Sequence, residues 1–136
     1  MNFQAESKKT GDIFEDIVME DLVRSKRENI QKHVIIDAVG VEADFAYTEG
    51  DIQVYVEAKG GSDGKGKRPG AKRTDNVKKA IANAALVKAV YPDSKYVFYF
   101  SDLPNHGKSA YKMLKTAVKA GYVDKVVYLV TFDGIK

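Results

Sequence analysis

The sequence contains no cysteine and has only three prolines in 136 residues. Without cysteine there is neither a disulfide framework nor a thiolate zinc site, and a reducing compartment is the default. No apolar run approaches the ~20 residues that cross a bilayer. Met1 to Thr10 is polar and lysine-bearing, without the apolar stretch of a secretory leader. The expectation is a cytoplasmic protein with no membrane partner. Internal repeats, low-complexity tracts and interdomain linkers are missing too, so residues 1–136 are expected to form one domain.

What is present is a globular composition: 44% hydrophobic and 30% charged residues, enough to bury a core by packing alone. The net charge of +3 is unevenly spread. Lys65, Lys67, Arg68, Lys72, Arg73 and Lys78 are opposed locally only by Asp63 and Asp75, a concentration suited to a phosphate backbone. A solvated lysine-rich loop is the plainer alternative.

Periodicity predicts a helix capped by Thr10 and running to about Arg27, with Ile13, Phe14, Ile17, Val18 and Leu22 as its buried stripe. Strands are predicted over His33–Val39, Ala43–Thr48 and Ile52–Lys59 from β-branched and aromatic content. Gly60–Arg73, rich in Gly, Lys and Arg, reads as a loop. Thr74–Val90 forms a second helix stopped by Pro92. Tyr96–Phe100 lacks alternation, as a central strand covered on both faces does. Lys108–Ala120 is a third helix with Gly121 beyond its end, and Lys125–Phe132 a last strand. The order αβββαβαβ predicts an α/β protein of the α+β kind, a mixed sheet flanked by helices.

The segment ADFAYTEGDIQVYVEAK carries the chemistry. Gly50-Asp51 suits a two-residue type II′ turn, which sets Glu49 opposite Ile52, Tyr47 opposite Val54, Phe45 opposite Val56 and Asp44 opposite Glu57. One face then collects Phe45, Tyr47, Ile52, Val54 and Val56, and the other Asp44, Thr48, Gln53, Tyr55, Glu57 and Lys59. Opposed carboxylates repel. A divalent cation between them offsets that, and Mg²⁺, which takes one or two carboxylates and keeps waters, fits. Lys59 shares the face of Glu57 and could orient a water, take its proton or offset charge on a phosphate. Solvated strand residues with a structural ion pair are the alternative on spacing alone.

An Asp at a strand end, a hairpin and then Glu-x-Lys resembles the PD-(D/E)XK nuclease superfamily, whose fold is restriction-endonuclease-like. Small archaeal Holliday junction resolvases are particularly similar, in size, in the spacing of Asp and Glu-x-Lys, and in a start like KKTGDIFEDIV. The segment GGSDGKGKRPGAKRTDN looks more like loops of restriction and phage nucleases. Ala43 stands where the family often has proline. The resemblance implies a Mg²⁺-dependent DNA endonuclease, with Mn²⁺ as substitute, leaving 5′-phosphate and 3′-hydroxyl ends. It implies that Asp44, Glu57 and the carbonyl of Ala58 bind metal, that Glu15 reaches the metal directly or through water, and that Lys59 assists the water. One site cuts one strand, so double-strand cleavage or junction resolution calls for a homodimer. A non-catalytic nucleic-acid-binding module on the same fold is the alternative.

Other features are set aside. Gly107-Lys108-Ser109 lacks the earlier glycine of a phosphate-binding loop, since Asp102 stands there. His33 and His106 have no partner at metal-ligand spacing and read as structural or solvated. Tyr96, Phe98 and Tyr99 read as core aromatics. Glu42 is placed opposite Lys59 as an ion-pair partner or, less favoured, an extra acidic ligand.

Overall fold

A computed structural model describes residues 3–60, 71 and 74–129, with side chains from residue 13 onward. Its elements follow the expected order: α1 (Phe3–Arg24), β1 (Glu28–Ile36), β2 (Val41–Glu49), β3 (Ile52–Lys59), α2 (Thr74–Val90), β4 (Lys95–Phe100), α3 (Ser109–Lys119) and β5 (Lys125–Tyr128). The five strands form one sheet in sequence order. β1–β2 and β2–β3 are antiparallel, β3–β4 and β4–β5 parallel. The protein is thus a mixed α/β domain with a mixed sheet and three helices. No helix among the described residues is long and apolar enough to cross a membrane.

Two elements, α1 and β1, have bounds that differ from expectation for identifiable reasons. α1 starts at Phe3, so Thr10 lies inside it; the stretch QAESKK consists largely of good helix formers and extends the helix past its presumed cap. β1 starts at Glu28 and stops at Ile36. Its first half, ENIQK, is mostly exposed, and backbone pairing with β2, from Glu28 opposite Thr48, makes it a strand. Edge strands are often polar in this way. Val39 belongs to the turn that follows, where its N–H and that of Gly40 donate to the carbonyl of Ile36. For β5, residues 130–132 lie outside the described residues.

The sheet is covered on both faces. Phe14, Val18 and Leu22 of α1 pack on Phe45, Tyr47, Val54, Val56, Val97 and Tyr99. Ile13, expected in that stripe, is exposed. On the other face α2 (Val77, Ala80, Ala84, Val87) and α3 (Ala110, Leu114, Ala117) enclose Tyr96, Phe98 and Phe100. β4, central and buried on both sides, has no polar face and hence no alternation.

Where β3 ends the chain crosses close to α1. A Cβ on Gly60 would collide with the Cβ and Cγ of Phe14, which is itself buried. Gly60→Ala is expected to cost about 1–3 kcal/mol through overpacking, read as a lower urea midpoint. An unchanged midpoint would mean that Phe14 yields freely.

Candidate active site

The Gly50-Asp51 turn forms as the sequence requires. Gly50 has φ 61°, and Asp51 is not among the residues with positive φ, the combination that separates type II′ from type I′. The resulting register, Glu49 opposite Ile52 through Phe45 opposite Val56, is the expected one. The β2–β3 ladder ends at Phe45–Val56. Beyond it the strands part, although each continues as strand. The Ala58 N–H, freed from the ladder, donates instead to Asp44 Oδ2 at 2.7 Å. In an extended strand the N–H and C=O of one residue point to the same side, so the Ala58 carbonyl opens into the gap that holds Asp44. On its other side β3 stays paired: Glu57 lies opposite Phe98, and the Lys59 carbonyl accepts from the Ser101 N–H at 3.2 Å. One edge of the site is rigid and the other is open.

Glu57 is 4% exposed, and a buried carboxylate needs donors. Its Oε1 accepts from Asn83 Nδ2 of α2 at 3.0 Å and from the Tyr96 hydroxyl of β4 at 2.9 Å. Its Oε2 lies 3.6 Å from Lys59 Nζ. Burial first, then the Glu57 charge, raises the Tyr96 phenol well above its ordinary range, so it stays a donor. With Oε1 engaged, Oε2 is the atom turned toward Lys59. Asn83 and Tyr96 together therefore set the rotamer of Glu57. Asn83→Ala is expected to weaken divalent-cation affinity about 10- to 100-fold, as losses of such supporting hydrogen bonds do. Calorimetric titration with Mn²⁺ checks this; unchanged affinity would leave Tyr96 alone as the positioning group.

Asp44 is the most strongly shifted carboxyl at the site. Burial, followed by the Glu57 carboxylate and more weakly Glu15, pushes it up to about 7, against the Ala58 N–H and Lys59, which pull it down. Asp44 therefore resists ionisation near neutral pH. Glu15 stands beside Phe14 on α1, and its Oε1 is 3.5 Å from His33 Nε2. His33 Nδ1 lies 3.7 Å from Glu42. Glu42 thus turns to His33 and not to Lys59, because the strands have parted before that register position. His33, with φ 52° on the edge strand, joins the periphery of the site, a role its isolated position in sequence did not signal. Asn83 was equally silent, being one polar residue in an alanine-rich helix.

Among the described residues no three His, Asp or Glu side chains converge as a metal-binding group. A cation here would have two carboxylates, Asp44 and Glu57, with the Ala58 carbonyl as the further protein donor. Lys65, Lys67, Arg68, Lys72 and Arg73, expected to bind phosphate, lie outside the described residues. Lys78 is exposed on the first turns of α2. Ala71, within that basic segment, is fully buried, and its N–H donates to Asp102 Oδ1 at 3.1 Å. Asp102 follows β4 at the end where Phe100 pairs with Lys59, so Ala71 lies at the site's end of the sheet.

Comparison with protein-family models, with curated proteins and with solved structures finds no match for the chain.

Proposed function

We propose that this protein is a Mg²⁺- or Mn²⁺-dependent DNA endonuclease of the PD-(D/E)XK type, built on a restriction-endonuclease-like core. The observation that carries the reading is the parted end of the β2–β3 hairpin, with Asp44 held by the Ala58 N–H, Glu57 beside it and Lys59 Nζ 3.6 Å from Glu57. The donor set fits a hard divalent cation: two carboxylates and a carbonyl, all oxygen. The upward shift of Asp44, from burial first and the Glu57 charge second, fits as well, since a cation at Asp44 would oppose both.

Asp44, Glu57 and the Ala58 carbonyl would hold the cation. When bound it supplies Lewis-acid activation of the phosphate and a more acidic water. Lys59 orients the attacking water and offsets charge growing on the phosphoryl oxygens. Asn83 and Tyr96 keep Glu57 fixed, and Glu15, through its field on Asp44, completes the acidic side. The basic segment up to Lys78 would grip the DNA backbone, and a homodimer would present two sites to two strands.

The rival reading is a nucleic-acid-binding module without turnover. A cleavage panel of supercoiled, linear, single-stranded and four-way-junction DNA in Mg²⁺ and Mn²⁺, with Lys59→Ala and Asp44→Ala alongside, separates the two. Metal-dependent cutting by the wild type alone supports the enzyme and ranks its substrates. Binding without cutting in every metal would sink it.

A further inference from the structure

We propose that the solvent face of α3 is a second binding surface for a nucleic-acid phosphate backbone, distinct from the 60–73 segment. This rests on the nuclease reading and extends it. Lys108, Lys112, Lys115 and Lys119 follow one another at steps of four, three and four, which places them on one face of a helix. All four are exposed, while Ala110, Leu114 and Ala117 on the opposite face are buried. From Leu103 to Val123 the chain contains no Asp or Glu. Among the described residues the ion pairs all involve other cations. Lys115 Nζ alone has a neighbour of note, the Tyr111 ring at 5.6 Å.

This arrangement works against the helix. Like charges three and four apart repel. Lys108 occupies the N-cap, offers no side-chain capping bond and adds positive charge to the positive end of the helix dipole. A face that merely met water would have no reason to exclude acidic residues, which elsewhere in the chain pair with cations, as Lys88 does with Asp124 at 2.8 Å and Lys95 with Glu49 at 3.0 Å. A polyanion removes the conflict. The row is also placed to meet one. α3 follows β4, which ends at Phe100 opposite Lys59, and returns to Lys125 opposite Val97. Lys108 is therefore the end nearer the catalytic edge, and the row runs about 16 Å from it at ~1.5 Å per residue. That span is roughly half a turn of duplex, so the stripe would follow the DNA flanking the cut phosphate.

The test compares the wild type with two quadruple variants, Lys→Gln and Lys→Arg at these four positions. Each is titrated with a fluorescent 30-base-pair DNA duplex in Ca²⁺ from 50 to 200 mM salt. The Gln variant is expected to lower the slope of log K against log salt by about 3.6, from roughly 0.9 for each of the four phosphates that is no longer neutralised. The Arg variant keeps the wild-type slope. Thermal melting of the Gln variant should be no lower than wild type, since repulsion has been removed. A wild-type slope in the Gln variant overturns the proposal, and so does intact duplex binding combined with lost retention on a poly-glutamate column, which would assign the stripe to an acidic protein. If the wild type cuts DNA and only the slope fails to change, the nuclease reading stands and this inference falls. If the wild type neither binds nor cuts DNA, both fall.

Discussion

Asp44→Asn is expected to abolish cleavage and, in the same protein, to raise the stability of the metal-free fold above pH 7. Loss of cleavage follows from removing one of two carboxylates that would hold the cation, a change on the order of three or more decades in single-turnover rate. The stability gain follows from the sign of the Asp44 shift. Burial and the Glu57 charge raise its folded-state value to about 7 from an ordinary 3.8. Between those values the folded protein keeps a proton that the unfolded chain has released. Stability of the metal-free wild type therefore falls as pH climbs through that window, and the full cost is present above pH 7. Asparagine carries no charge to desolvate and can still accept from the Ala58 N–H. Because Asp44 is only partly buried, the gain is discounted to about 2 kcal/mol, or roughly 5–10 °C in Tm. The two proteins should converge near pH 4. Equal Tm values at pH 8 would mean that Asp44 and Glu57 do not strain one another, and the case for a cation between them would weaken accordingly.

Lys59→Ala should separate chemistry from cation binding. The ammonium is 3.6 Å from Glu57 Oε2 and coordinates nothing itself, so its loss removes a competing positive charge from the site. Mn²⁺ affinity by calorimetry is expected to hold or tighten. The single-turnover rate at saturating Mg²⁺ should drop about 10²- to 10⁴-fold, the range of a positioned proton-transfer or charge-stabilising group. A parallel collapse of metal affinity would instead make Lys59 a structural partner that keeps Glu57 in place.

How much of the molecule was legible in the sequence depended on the range of the interaction. The hairpin register was legible from Glu49–Ile52 to Phe45–Val56, because Gly50-Asp51 dictates the turn, but the expected Asp44–Glu57 pair lies beyond the ladder. The parting of β2 and β3 after Phe45–Val56 was not, since no residue type marks where a ladder stops; it redirected Glu42 from Lys59 to His33. The supports of Glu57 come from 26 and 39 residues away, beyond any local pattern. Tyr96 is the core aromatic that its apolar run predicts, being fully buried, yet its hydroxyl serves the site. The polar first half of β1 failed the test of apolar alternation, because an edge strand is held by its backbone and needs no buried face.

The proposed chemistry depends on a divalent cation in the gap between Asp44 and Glu57. Calorimetric titration of Mn²⁺ at pH 8 into the wild type, Asp44→Asn and Glu57→Gln decides it. Saturable binding by the wild type that disappears in both variants, each still folded, is the expected result. A wild type that takes up no Mn²⁺, or variants that bind it equally well, would contradict the site.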